Sequence, residues 1–294
     1  MQIRELAFGH APAANSSDLA ATARLALAGL AALFCGGLGP VLAAEENPGV
    51  FRNDEVTLRL VRAKEPVDGA IRAALLIDLA PGWKTYWRDP GASGVPPLVD
   101  LSKTRGFQTI YQHFPPPHRF GEGVTRANGY EGDVAFAFEL AVEPGEAIDT
   151  VAASVFLGVC KDICIPVQAE LVAEGPGATD DAAVADAFAA LPAEALDETF
   201  AVSSSDDGKS LRVAVMAPRG AGQDEAPDLF VTSGDGWYFD EPDKITRADG
   251  HILFDVPIAE RPAGVEGPPE AVDLLFTSGS QGLTATYVPV APTG

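Results

Sequence analysis

Between residues 56 and 173, apolar and polar side chains follow one another in short runs. The clearest run covers residues 134–142, where Phe136, Phe138 and Leu140 alternate with smaller or charged residues. A period of two is typical of a strand that buries one face. We therefore predict strands at residues 56–61, 70–80, 107–114, 134–142, 151–159 and 165–173.

A second set of strand-like runs follows a single helical stretch. Residues 178–196 are rich in alanine and place Val184, Phe188 and Leu191 at helical spacing, which predicts a helix. Asp206, Asp207 and Gly208 then predict a hairpin turn between the first two strands of the second set. We predict these strands at residues 200–205, 210–217, 228–233, 251–258, 271–278 and 283–290.

The pattern as a whole predicts an all-β protein with antiparallel β-sandwich domains, two in tandem. We place the first domain at residues 45–175, a helical linker at 176–197 and the second β-sandwich domain at 198–294. Gly 30 and Pro 24 among 294 residues exclude a helical bundle or coiled coil. The formal net charge of -22 repels phosphate backbones, so we expect no nucleic-acid partner.

The N-terminus has the features of an export signal. Residues 25–44 are apolar and end in small residues before Glu45 and Glu46, with Arg4 and Arg24 upstream. A membrane anchor is the competing interpretation, because about 20 apolar residues span a bilayer, but glycines and Pro40 interrupt this segment. We predict a signal peptide over residues 1–44 that is cleaved, and therefore an exported protein; the periplasm as its location follows from the resemblance described below.

The chemistry is concentrated in a pair of cysteines. Cys35 lies in the predicted signal peptide, which leaves Cys160 and Cys164 in the mature chain. An even pair in an oxidising compartment predicts a disulfide, and the short spacing between two strands requires a turn. A bridge across so short a loop contributes about 2 kcal/mol to stability, against about 4.7 kcal/mol for a 100-residue loop. Spacing alone leaves redox exchange, a structural bridge and metal binding open.

Several ordered motifs resemble a known family. In sequence order these are GWKTYWR (residues 82–88), DPG (89–91), FPPPHRF (114–120), GYE (129–131) and GVCKDICIP (158–166). Their order is similar to that of the N-terminal periplasmic domain of the DsbD-type thiol:disulfide interchange reductases, closest to the ScsB-like copper-tolerance branch. The resemblance covers residues 47–175 and, more weakly, the second β-domain. It implies an immunoglobulin-like fold for the β-sandwich.

The resemblance also implies roles for individual residues. Cys164 matches the cysteine that forms mixed disulfides with partners, and Cys160 matches the resolving cysteine. Tyr86 falls where the family places an aromatic side chain beside the pair. Residues 118–126, which include Phe120, fall where a cap loop shields the sulfurs. The cysteine spacing is shorter here than in the best-known members.

The implied function is a thiol:disulfide oxidoreductase activity that requires no cofactor or metal. Reducing equivalents would pass through Cys160 and Cys164 to soluble periplasmic thioredoxin-fold disulfide proteins. The sequence has no multi-helix membrane domain and no C-terminal thioredoxin-like domain, so we expect a separate membrane-embedded electron donor. Two alternatives stay open. One is a copper-binding module in which His113 or His118 joins the cysteines, and the other is a non-catalytic interaction module with a structural disulfide.

Overall fold

The computed structural model describes residues 47–91, 93–216, 226–234, 236–279 and 281–292. The predicted signal peptide, residues 1–44, lies outside these ranges. All described residues belong to one compact unit. Among them, no helix combines the length and the apolar character that a bilayer crossing requires.

Two sheets form the N-terminal half of the described chain. Their strands, in chain order, are β1 (Val50–Arg52), β2 (Val56–Arg62), β3 (Ala70–Leu79), β4 (Lys84–Tyr86), β5 (Leu98–Asp100), β6 (Phe107–His113), β7 (His118–Phe120), β8 (Ala127–Glu131), β9 (Val134–Val142), β10 (Val151–Cys160) and β11 (Cys164–Ala173). A 3₁₀ turn at Gly123–Thr125 connects β7 to β8.

Within the described residues, sheet I has five strands in the order β1-β2-β3-β9-β6. Sheet II has six strands in the order β11-β10-β4-β8-β7, with β5 also paired to β10. Fully buried side chains from both sheets, among them Leu75 and Phe136 from sheet I and Leu157 and Leu171 from sheet II, share one hydrophobic core. The two sheets therefore face each other, and the predicted β-sandwich is confirmed for this half.

The long predicted strands are confirmed within a residue or two of their ends, because their alternation matches burial on one face. In this half the prediction missed the short strands β1, β4, β5, β7 and β8. These strands are too short to show a period of two, and β8 contains Gly129, which is rare in strand interiors.

The predicted helix is present but shorter than expected. Helix α1 covers Asp180–Ala189 instead of residues 178–196. Pro192 disfavours helical geometry at Leu191, and the chain then extends into β12 (Ala193–Glu194). Val184 and Ala187 of the helix are buried against Ala74 and Ala137, so α1 packs on the outer face of sheet I.

The C-terminal half forms a third sheet. Its remaining strands are β13 (Phe200–Ser204), β14 (Ser210–Met216), β15 (Asp228–Thr232), β16 (Tyr238–Phe239), β17 (Lys244–Ala248), β18 (His251–Glu260), β19 (Ala271–Ser278) and β20 (Gln281–Ala291). In the described residues this sheet III has nine strands, with β15 and β16 at opposite ends of the main order. Because β15 and β16 also contact each other, the sheet curls around its own core. Strands β13 and β14 form the predicted hairpin, with Gly208 at a positive φ of 66°.

Sheet III also contributes to the core of the sandwich. Phe230 of β15 and Leu275 of β19 are buried in the same cluster as the side chains of sheets I and II. Phe230 meets the ring of Trp87 edge-on, with 5.5 Å between centroids. The division into domains at 45–175, 176–197 and 198–294 stays a prediction.

Gly129 allows three strand segments to approach closely. It pairs with Tyr86 of β4 on one side and with His118 of β7 on the other. A Cβ atom at this position would collide with the Thr85 carbonyl oxygen and lie 2.9 Å from the Tyr86 Cα and 3.0 Å from Cε1 of Phe120.

We therefore expect Gly129→Ala to lower the free energy of unfolding by about 1–3 kcal/mol, because the crowded strands cannot move apart without losing pairing. Gly234→Ala is the matched control, since a Cβ there meets nothing within 4 Å and the residue is not among those with positive φ. We expect the control to change stability by less than about 0.5 kcal/mol. Urea unfolding followed by intrinsic fluorescence measures both, and equal effects would contradict this account of Gly129.

Candidate functional site

The two cysteines lie directly opposite each other at the end of the β10–β11 hairpin. Cys160 is the last residue of β10 and Cys164 the first of β11, and they form the final pair of the ladder. Their Cα atoms are 4.1 Å apart and their sulfurs are bonded. The amide of Lys161 donates to the carbonyl of Ile163 at 3.1 Å, which closes the turn. The predicted disulfide and the predicted turn are both confirmed.

The environments of the two sulfurs differ. Cys160 is 7% exposed and belongs to a small hydrophobic cluster with Tyr86 and Ala127. Cys164 is exposed, and the neighbouring Ile163 is 70% exposed at the tip of the turn. A molecule that approaches the disulfide from solvent therefore reaches Cys164 first.

The phenol of Tyr86 lies against the disulfide. Its oxygen is 3.0 Å from Sγ of Cys160 and 3.4 Å from Sγ of Cys164. Sulfurs in a disulfide carry no hydrogen, so the tyrosine hydroxyl is the donor. Burial raises the pKa of Tyr86 above its ordinary value, so the hydroxyl keeps its proton at neutral pH.

Small residues and one hydroxyl position the Tyr86 ring. Strand β4 pairs with β10 on one side, and the Thr85 hydroxyl donates to the Gly158 carbonyl at 3.0 Å. A Cβ on Gly158 would lie 3.2 Å from Cδ2 and Cε2 of Tyr86, and one on Gly94 would lie 2.9 Å from Cδ1. The absence of side chains at these glycines lets the ring reach the sulfurs.

Phe120 covers the other side of Tyr86. The two ring centroids are 5.9 Å apart, and Phe120 packs on the cluster that contains Cys160. The Lys84 ammonium lies 4.7 Å from the Phe120 centroid and 2.6 Å from the Glu131 carboxylate. Residues 118–126, which we predicted as a cap loop, are thus strand β7 followed by a 3₁₀ turn, next to Cys160.

The turn between the cysteines carries one basic and one acidic side chain, Lys161 and Asp162. The Lys161 ammonium donates to the Pro81 carbonyl at 3.2 Å, and the end of its side chain lies over Gly82. Asp162 is exposed. The Tyr86 hydroxyl, by contrast, lies within hydrogen-bonding distance of both sulfurs.

The structure does not bring His113 to the cysteines. His113 lies on β6 of sheet I, where its Nε2 is 3.8 Å from the Glu139 carboxylate and its ring faces Phe188. His118 is exposed on β7. Across the described ranges, no group of three or more His, Cys, Asp or Glu residues is arranged to hold a metal ion.

Sequence reasoning missed part of the site. Ala127 belongs to the cluster with Tyr86 and Cys160, and Gly158 leaves room for the tyrosine ring, but neither residue type points to chemistry by itself. The only sequence indication for Gly158 is its place at the start of the GVCKDICIP motif. Ala127 had no indication at all.

Comparison with known proteins adds the following. Residues 58–176 match the family model described as "Thiol:disulfide interchange protein DsbD, N-terminal". No curated protein matches the chain. The crystal structure of the N-terminal periplasmic domain of ScsB from Proteus mirabilis is similar, with a TM-score of 0.65 and 24% sequence identity, over 82% of this chain and 98% of that chain. At this identity the likeness bears on the fold.

We expect Tyr86→Phe to make the thiolate of Cys160 harder to form. In the Cys164→Ser background, the pH profile of Cys160 alkylation by iodoacetamide should move about one pH unit higher, because a hydrogen bond to the charged sulfur is lost. Tyr111→Phe is the control, since Tyr111 is 56% exposed on β6 of sheet I. An unchanged profile in Tyr86→Phe would show that the phenol does not act on the sulfur.

Proposed function

We propose that the protein is a periplasmic thiol:disulfide interchange protein, from the premise that residues 58–176, which match the DsbD N-terminal family model, form a domain of that type. It passes reducing equivalents through Cys160 and Cys164 to soluble disulfide proteins. The observation that carries the proposal is the asymmetry of the pair: Cys164 is exposed at the end of the hairpin, while Cys160 is buried.

From this asymmetry we infer a separate role for each cysteine. In the dithiol form, the Cys164 thiolate attacks one sulfur of a partner disulfide. A new sulfur–sulfur bond forms, the partner's own bond breaks, and the departing partner thiolate takes the electron pair. The Cys160 thiolate then attacks the Cys164 sulfur of this mixed disulfide, which restores the intramolecular bond and releases the fully reduced partner.

The hydroxyl of Tyr86 supports the second step. It lies 3.0 Å from the Cys160 sulfur, and because its proton is retained at neutral pH, it donates to a thiolate at that position. A donor beside the resolving sulfur increases the thiolate fraction without a neighbouring cation. No metal or organic cofactor takes part in the two exchange reactions.

The partners follow from the chemistry and the family. A protein that ends a cycle as a disulfide needs a reductant, which we assign to a separate membrane-embedded donor. The acceptors are periplasmic thioredoxin-fold disulfide proteins, whose exposed disulfides are accessible to Cys164. The immunoglobulin-like character of the sandwich and the copper-tolerance branch belong to the same proposal.

Equilibrium with glutathione separates an exchanging bond from a structural one. We expect the Cys160–Cys164 bond to come to equilibrium with mixtures of reduced and oxidised glutathione within the range of cellular potentials, about −180 to −320 mV. Alkylation of free thiols followed by mass spectrometry measures the reduced fraction. A bond that stays closed in this range would favour the non-catalytic interaction module with a structural disulfide.

Covalent trapping identifies the attacking cysteine. With Cys160→Ser, the mixed disulfide on Cys164 cannot be resolved, so we expect adducts with thioredoxin-fold proteins from a periplasmic extract. Cys164→Ser is the matched control, and it should trap at least about tenfold less because its remaining thiol is covered. Equal trapping by the two variants would contradict the assigned roles.

A further inference from the structure

Strand β7, which places Phe120 next to Cys160, also has a side that faces away from the cysteines. Side chains of a strand alternate between its two sides, and in β7 the neighbours Arg119 and Phe120 point in opposite directions. Phe120 faces Tyr86 and the cluster around Cys160. Arg119 faces β15 of sheet III, more than a hundred residues away in sequence.

The guanidinium of Arg119 is held by several groups at once. Its Nε donates to the Asp228 carboxylate at 2.9 Å, and its Nη2 donates to the Leu229 carbonyl at 2.7 Å. Its Nη1 lies 3.4 Å from Oδ1 of Asn128, and its carbon lies 4.3 Å from the centroid of the Phe230 ring. The side chain is only 15% exposed, so solvent and salt weaken this contact less than a surface ion pair.

The same segment is anchored at its far end. Arg126 follows the 3₁₀ turn and forms an ion pair with Glu241 of the C-terminal half. Strand β4 repeats the arrangement: Tyr86 faces the sulfurs, while the next residue, Trp87, packs on Phe230. Both aromatic side chains around Cys160 are therefore adjacent in sequence to residues that contact β15.

We propose that Asp228, Phe230 and Glu241 of the C-terminal half hold residues 118–126 over Cys160 and thereby direct incoming thiols and disulfides to Cys164. Arg119 and Arg126 are positioning residues in this arrangement, since neither contacts a sulfur. The inference rests on the proposed exchange function and gives the C-terminal half a part in it. The C-terminal half then determines which of the two sulfurs a partner can reach.

Weaker anchoring of residues 118–126 should change the reaction rates of the two cysteines differently. A reagent reaches Cys160 only in the fraction of molecules in which residues 118–126 have opened, so weaker anchoring raises that rate in proportion to the open fraction. Cys164 is already exposed, so its rate does not depend on the opening. A change in the hairpin that carries both cysteines would instead alter both rates.

The test uses full-length mature protein with one cysteine at a time. Cys164→Ser leaves only Cys160, and Cys160→Ser leaves only Cys164. The probe is dithiodipyridine, a neutral aromatic disulfide: the protein thiolate bonds to one of its sulfurs, the probe's bond breaks, and thiopyridone leaves and is measured by absorbance. Adding Arg119→Ala should raise the Cys160 rate about tenfold, as expected for loss of hydrogen bonds to a charged group. The Cys164 rate should stay within about twofold of its parent.

Two further variants keep the proposal falsifiable. Asp228→Ala leaves the whole covering segment intact and should raise the Cys160 rate by about threefold or more, since the Leu229 carbonyl still binds Arg119. Arg72→Ala is the matched control, because Arg72 also combines an ion pair, to Glu139, with an aromatic contact, to Phe188. We expect no change in the Cys160 rate for this control. Unchanged Cys160 rates in both test variants, or equal rises at both cysteines, would overturn the proposal.

Failure of this inference is distinct from failure of the proposed function. The rates with dithiodipyridine report access to each sulfur and involve no protein partner. If the native bond equilibrates with glutathione while Arg119→Ala and Asp228→Ala leave the Cys160 rate unchanged, exchange stands and the anchoring role is wrong. If the Cys160 rate rises but the native bond stays closed in glutathione, the anchoring is real and the exchange function is wrong.

Discussion

The site depends on the register of the β10–β11 hairpin. The ladder runs from Val151 opposite Ala173 to Cys160 opposite Cys164, and it places the cysteines on facing strands. A shift of one residue would move each cysteine to the other face of the sheet. Alternate residues of β10, such as Val155 and Leu157, are buried in the sandwich core, and this burial fixes the register. The geometry of two sulfurs at the surface is therefore set by apolar packing in the interior.

The same strand alternation makes the two sulfurs unequal. Strand β4 inserts between β10 and β8, and its close approach at Gly129 and Gly158 places the Tyr86 phenol beneath the disulfide. Cys160 is then buried in a cluster with Tyr86 and Ala127, while Cys164 is exposed and contacts the same hydroxyl at 3.4 Å. Thiol exchange by a cysteine pair needs one sulfur that a partner can reach and a second sulfur close enough to attack the mixed disulfide. A hairpin end that is packed on one side can provide both.

The alternation of apolar and polar residues was sufficient to predict the long strands but not the short ones. Strands such as β9 bury one face along their whole length, so their period of two is visible without any knowledge of the fold. Strands β4, β7 and β8 are positioned by tertiary packing, and three to five residues carry no measurable period. Tyr86 and Phe120 were reached through the family resemblance for this reason. The contact between Arg119 and Asp228 spans 109 residues, and no local pattern indicates it.

The length of helix α1 could not be predicted from the local sequence either, and here the pattern predicted too much structure instead of too little. Alanine and helical spacing favoured a helix up to residue 196, but Pro192 and the pairing of β12 with β20 end it at Ala189. Packing also buries a charged residue at the start of this helix. Asp180 pairs with Arg59 at 3.1 Å and accepts a hydrogen bond from the Gly177 amide at 2.7 Å. Local composition described the propensity of this segment, whereas its ends and contacts are set by the sheet on which it packs.

The hairpin also holds the two cysteines opposite each other through its backbone pairing, in addition to the disulfide. Backbone pairing along β10 and β11 already holds the cysteines opposite each other, and Lys161 closes the turn with its own amide. The covalent bond across this short loop therefore adds only about 2 kcal/mol in the chain-entropy estimate, and the rest of the hairpin does not need it. In the exchange that we propose, the ladder would keep the two thiols near each other after reduction, so Cys160 would stay within reach of a mixed disulfide on Cys164. Reversible chemistry at this position is compatible with a rigid sandwich because the strands, and not the sulfur bridge, hold the two cysteines in place.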